Sequence, residues 1–207
     1  TGTITVNPDA SITLTSGSNT QTRCINNAIT NIVYTVGGGG TGATVTGLPT
    51  GITGVYNAGV FTISGTPTAI GTFNYTVTTT GTCIQKSLTG TITVNPDASL
   101  VLTSGSNTQT KCINNAITNI VYTIGGGGTG ATVTGLPTGI TGVYSAGIFT
   151  ISGTPTSIGT FNYTVTTIGT CMQKSLTGTI IVNPDATLSL SSANNNQSKC
   201  QGNAITN

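Results

Sequence analysis

The chain has 207 residues, of which 4 % are charged, against a usual share of about a quarter, and it contains no histidine. A net charge of +2 spread this thinly forms neither a basic patch for nucleic acid nor an acidic cage for calcium. With no His, no Glu and only Asp9, Asp97 and Asp185 as acids, paired carboxylates, Ser-His-Asp triads and His-containing metal sites are excluded by inventory. The chain is therefore not expected to be an enzyme, and no cofactor is expected. No run approaches the roughly 20 apolar residues of a membrane span.

In chain order, Gly2 to Val6 alternates Thr with Ile and Val, which predicts a half-buried strand. Asn7-Pro8-Asp9-Ala10 follows as a short, stiff junction, since Pro fixes φ and Asn and Asp favour turns. Strands are then predicted at Ser11–Thr15, Thr20–Cys24, Ile29–Val36, Ala43–Thr46, Val60–Ser64, Thr72–Thr79 and Ser87–Val94. Gly37 to Gly40 reads as a flexible loop; no Lys-Ser/Thr or helix follows to make it a phosphate cradle. Turns are expected at Gly47–Gly51, Gly65–Thr68 and Gly81–Gln85.

Residues 1–88 then return as 89–176 with nine substitutions, and a third copy starts at Thr177. A period of 88 residues is too long for a solenoid coil and suits one small domain. The domains are expected at 9–96 and 97–184, with 1–8 the last strand of a preceding repeat and 185–207 the start of a further one. The chain is thus expected to be an excerpt of a longer mature protein. About seven short strands per repeat, with no helical periodicity, predict an all-β fold of tandem immunoglobulin-like antiparallel sandwiches. Copies need not be identical: Gln201-Gly202 stands where Ile25-Asn26 stood, and Ala193 where Gly17 stood.

Cysteine falls on the period as Cys24, Cys112 and Cys200, and as Cys83 and Cys171. Pairing within domains gives Cys24–Cys83 and Cys112–Cys171, each closing about 60 residues for about 4 kcal/mol in the chain-entropy model, and leaves Cys200 unpaired. The competing pairing, Cys83–Cys112 and Cys171–Cys200, would join neighbouring domains and orphan Cys24. With no His and no Cys-x-x-Cys, zinc is not expected.

Other residues have bland readings. Lys86 reads as a solvated lysine rather than a nucleophile or isopeptide donor, and Tyr75 as a core ring rather than a corner tyrosine. Asn74-Tyr75-Thr76 and Asn162-Tyr163-Thr164 match a glycosylation sequon by coincidence. Tyr56 and Tyr144 are the only candidate platforms for carbohydrate. The pairs Thr3/Thr5, Thr13/Thr15, Thr44/Thr46 and Thr76/Thr78 raise an ice-binding alternative, although they fall on different strands.

The stretch Gly47 to Val77, with its GLPTG turn, TISGTP strand end and GTFNYTV strand, resembles repeats of giant surface proteins exported by Bacteroidetes through type IX secretion, SprB-like gliding adhesins among them. The wider pattern agrees, from Cys24 through Ile29–Ile32 and Gly42–Gly47 to Cys83 and the TGTITVNP of Thr89–Pro96. The resemblance implies an extracellular, cell-surface setting and a structural or adhesive role in an appendage. A multi-chain homo-oligomeric filament, with strands exchanged between chains, is the expected assembly. A cell surface or glycan is the expected target.

Overall fold

The computed structural model describes residues 1–191 and 196–205. Its first eight strands are β1 (Ala10–Ser16), β2 (Thr20–Cys24), β3 (Ile32–Gly38), β4 (Gly40–Thr46), β5 (Ile52–Asn57), β6 (Val60–Gly65), β7 (Gly71–Gly81) and β8 (Ser87–Asn95). The second eight repeat them: β9 (Ala98–Ser104), β10 (Thr108–Cys112), β11 (Ile120–Gly126), β12 (Gly128–Thr134), β13 (Ile140–Ser145), β14 (Ile148–Gly153), β15 (Gly159–Gly169) and β16 (Ser175–Asn183). Each set of eight makes one bead of two four-stranded sheets, ordered β1-β3-β6-β5 and β2-β8-β7-β4 in the first. All pairings are antiparallel except β2 with β8 and β10 with β16. The opening segment is thus split between sheets, β1 edging one and β2 the other, as in an immunoglobulin-type sandwich.

Alternation builds the core. Ile32, Tyr34 and Val36 of β3 and Phe61 and Ile63 of β6 face Tyr75 and Val77 of β7 and Ile92 and Val94 of β8, all buried. At its centre the hydroxyls of Tyr34 and Tyr75 meet at 3.0 Å across the two sheets, and that of Tyr75 also donates to the Asn19 carbonyl at 3.2 Å. Tyr75 is therefore a core ring with a polar tether to the turn between β1 and β2. Burial raises the pKa of both tyrosines, and Tyr163 in the second bead behaves as Tyr75 does.

The structure corrects two expectations. A strand is added at Ile52–Asn57, forming a hairpin with β6 through Ala58 and Gly59, both at positive φ. Gly2–Val6, expected as the last strand of a preceding repeat, pairs with no strand among the described residues, and Ile4 is 92 % exposed where its counterpart Ile92 is fully buried between neighbours. The glycine run is no flexible loop either, because it ends β3 and begins β4. A Cβ on Gly38 or Gly39 would collide with the carbonyls of Asp9 and Pro8, so the run gives the junction peptide its close approach. From Pro184 on, no strand forms among the described residues, and Ala193 lies outside them.

Candidate functional site: the junction between beads

Only Pro96 and Asp97 separate β8 from β9, so the two beads meet end to end. Each bead has two poles. At the far pole β2 runs parallel to β8 and sets Cys24 opposite Asn95; at the near pole the β7–β8 turn carries Cys83 beside the preceding junction. The nine residues of β8 lie between the poles, a span of roughly 26 Å at about 3.3 Å per residue.

That distance overturns both expected pairings. A disulfide needs Cα atoms within about 7 Å, so Cys24 cannot reach Cys83, nor Cys112 reach Cys171. The alternative Cys83–Cys112 would join the outermost poles of the two beads. Instead Cys24 of the first bead bonds to Cys171 of the second, with Cα atoms 5.5 Å apart across the junction. Cys83, Cys112 and Cys200 are free.

The turn that carries Cys171 is held from three sides. The Met172 N–H donates to Oδ1 of Asp97 at 3.2 Å, and the Ala98 N–H to the Met172 carbonyl at 2.9 Å. Buried Thr167 donates to Gln173 Oε1 at 2.9 Å, and Gln173 Nε2 donates to the Cys171 carbonyl at 2.6 Å. Underneath, the Gly127 N–H donates to the Asp97 carbonyl at 3.0 Å. On the other side of the bond, the Ile25 N–H donates to Asn95 at 2.9 Å and Asn26 turns back at φ 62°. The bond is flanked by carbonyls: Thr170 lies 3.8 Å from the Cys24 sulfur and Asn95 3.9 Å from that of Cys171. Thr22, Arg23, Cys24, Asn27, Asn95 and Thr170 line a cleft of about 320 Å³ beside it.

Sequence reasoning missed Asp97, which acts as a bracket for the cysteine turn; its position next to Pro in the junction was the available signal. Lys86 is an exposed turn residue whose backbone N–H donates to Thr79 Oγ1. Tyr56 and Tyr144 are half-buried and pack partly against the cores. Asn74 accepts from the Thr91 hydroxyl at 2.9 Å. The threonine pairs are less scattered than expected: Thr44 faces Thr78 and Thr46 faces Thr76 on one sheet, while Thr13 and Thr15 lie on the other. Among the described residues no three His, Cys, Asp or Glu side chains gather as a metal site, and no helix is long and apolar enough to cross a membrane.

No family model matches the chain. It is 36 % identical over 172 residues to a serine-rich adhesin for platelets of Staphylococcus aureus strain MRSA252, and 35 % identical to that of strain MSSA476. The match covers 80 % of this chain but only 12 % and 7 % of those proteins. Among solved structures, the I67–I69 fragment of titin superposes with a TM-score of 0.62 at 12 % identity, covering 87 % of this chain and 67 % of the fragment. That likeness fixes the fold as tandem immunoglobulin-like sandwiches.

Proposed function

We propose that the chain is a shaft segment of an adhesive extracellular surface fibre, in which stiffness comes from covalently locked beads and no catalysis takes place. The observation that carries this reading is the Cys24–Cys171 bond: a disulfide placed between domains fixes their relative position rather than either core. With only 4 % of its residues charged, the chain lets many beads lie close without burying ions, whose desolvation is costly. The adhesin similarity supports a cell-surface setting and an attachment role, and the SprB-like pattern supports type IX export from a Bacteroidetes cell. Antibodies raised against this chain should decorate the length of a surface fibre on the source cell and block attachment. Labelling confined to the cell interior would contradict the reading.

A second reading, assembly of several chains by strand exchange, is favoured by one observation. Gly2–Val6 has the same residues as Gly90–Val94 of β8, so this segment of one chain has the sequence needed to take the β8 place in a bead of another. Mass photometry over rising protein concentration tests it: multimers lost on deletion of residues 1–6 support it, and a monomer throughout contradicts it.

A further inference from the structure

The junction between the two beads is one complete copy of a covalent site, and the chain holds both of its halves a second time. Cys112 stands one period after Cys24, at the far pole of the second bead, and Cys83 one period before Cys171, at the near pole of the first. We propose that Cys112 and Cys83 are half-sites of the same lock, each taking the complementary cysteine of an adjoining bead, so that beads are joined head to tail by a disulfide at every junction. This rests on the junction geometry and not on the adhesive reading.

The free halves already have the geometry of the bonded ones. At the near pole, the Ile84 N–H donates to Asp9 Oδ1 at 3.3 Å, as Met172 does to Asp97 at 3.2 Å. Gln85 Nε2 donates to the Cys83 carbonyl at 2.6 Å, the distance found for Gln173 and Cys171. The Cys83 thiol points at the Asn7 carbonyl, 3.5 Å away, as the Cys171 sulfur lies toward that of Asn95 at 3.9 Å. At the far pole, Cys112 is set opposite Asn183 as Cys24 is opposite Asn95, and the Ile113 N–H donates to Asn183 at 2.9 Å. Asn114 takes the same φ of 62° as Asn26. Cys112 is exposed and Cys83 partly so, which leaves both within reach of a partner. Because the halves keep their shape without the bond, forming it costs little rearrangement, the general advantage of a preorganised site.

The chemistry is thiol–disulfide exchange with a small disulfide such as oxidised glutathione as electron acceptor. The Cys112 thiolate attacks one glutathione sulfur, the glutathione S–S bond breaks, and one glutathione thiolate leaves. The Cys83 thiolate of the adjoining bead then attacks the Cys112 sulfur and displaces the second. Two protons and two electrons pass to glutathione disulfide, giving two glutathione thiols and one protein disulfide.

The consequence is mechanical. Tension entering the chain before Cys24 crosses the bond to Cys171 and leaves along β16, bypassing residues 25–170. With Cys83 and Cys112 also engaged, a second covalent line would run along β8, the junction, β9 and β10. Each bead would then be crossed by two covalent lines, one in its β8-type strand and one in its β2-type strand, which are hydrogen-bonded to each other.

The test uses the full chain with Cys200→Ser, concentrated in a glutathione redox buffer. A ladder of multimers should form on non-reducing gels, with the Cys83–Cys112 linkage at least about tenfold more abundant than either symmetric linkage, and Cys24–Cys171 retained. Cys83→Ser or Cys112→Ser should each stop the ladder at the dimer. Random pairing would give the linkages Cys83–Cys83, Cys83–Cys112 and Cys112–Cys112 in a ratio of about 1:2:1; that ratio, or no ladder at all, would overturn the proposal.

Discussion

At the residue scale, the inter-sheet tyrosine pair explains a glycine that the strand pattern alone does not. Gly90 sits opposite Tyr75 in β8, and a Cβ there would collide with the Tyr75 ring and the Asn19 carbonyl. Gly90→Ala should therefore cost about 1–3 kcal/mol, the usual penalty of overpacking a core, read as a fall in the denaturant midpoint. An unchanged midpoint would show that the ring can move aside. The same tyrosines set an alkaline limit. Burial raises the folded-state pKa of Tyr34, Tyr75 and Tyr163 above the unfolded value of about 10, so their contribution is complete below that pH. Above it the unfolded chain ionises first, and stability falls as pH climbs toward the folded-state values. The melting temperature should hold between pH 7 and 9 and drop beyond about 10, less steeply in Tyr75→Phe. A flat profile to pH 12 would contradict the burial of these hydroxyls.

At the element scale, strand alternation made most of the sandwich legible. Tyr75 reads as a core ring in the sequence and is one in the structure, buried with Val77 in one cluster with Ile32, Tyr34 and Val36. β5 escaped because Gly54 breaks its alternation at an inward position, where any side chain would collide with Phe61 and Val45. The glycine run and the Asn-Pro-Asp junction each gave a clear signal, but their shared purpose did not show: they press against one another at the near pole. The β7–β8 turn likewise looked like a plain turn, although Thr167 and Gln173 hold its cysteine in place. Gln173→Ala removes the bonds to Thr167 and to the Cys171 carbonyl, so it should cost about 1–2 kcal/mol and slow re-formation of Cys24–Cys171 after reduction several-fold. Re-formation at the wild-type rate would mean that the turn is positioned without it.

At the scale of the whole molecule, the 88-residue period announced the beads, but spacing alone could not say how they are joined. A 59-residue separation between Cys24 and Cys83 looked like an intradomain staple because sequence distance does not record which pole a residue occupies. The parallel pairing of β2 with β8 decides it by carrying Cys24 to the pole that faces the next bead. The resulting loop spans 147 residues, and in the chain-entropy model its closure is worth about 5 kcal/mol against the fully unfolded chain. One bond thus adds to both stability and stiffness, and both contributions should be lost on reduction.

Pulling a single oxidised chain from its two ends tests that bond most directly. With residues 24 and 171 joined, only about 60 of the 207 residues can extend, a fully stretched length of roughly 22 nm at about 3.6 Å per residue. After reduction, or in Cys24→Ser, the length should grow to roughly 75 nm on the same scale. An oxidised chain that stretches to roughly 32 nm, the length left by Cys24–Cys83 and Cys112–Cys171 bonds, would contradict the covalent lock between beads.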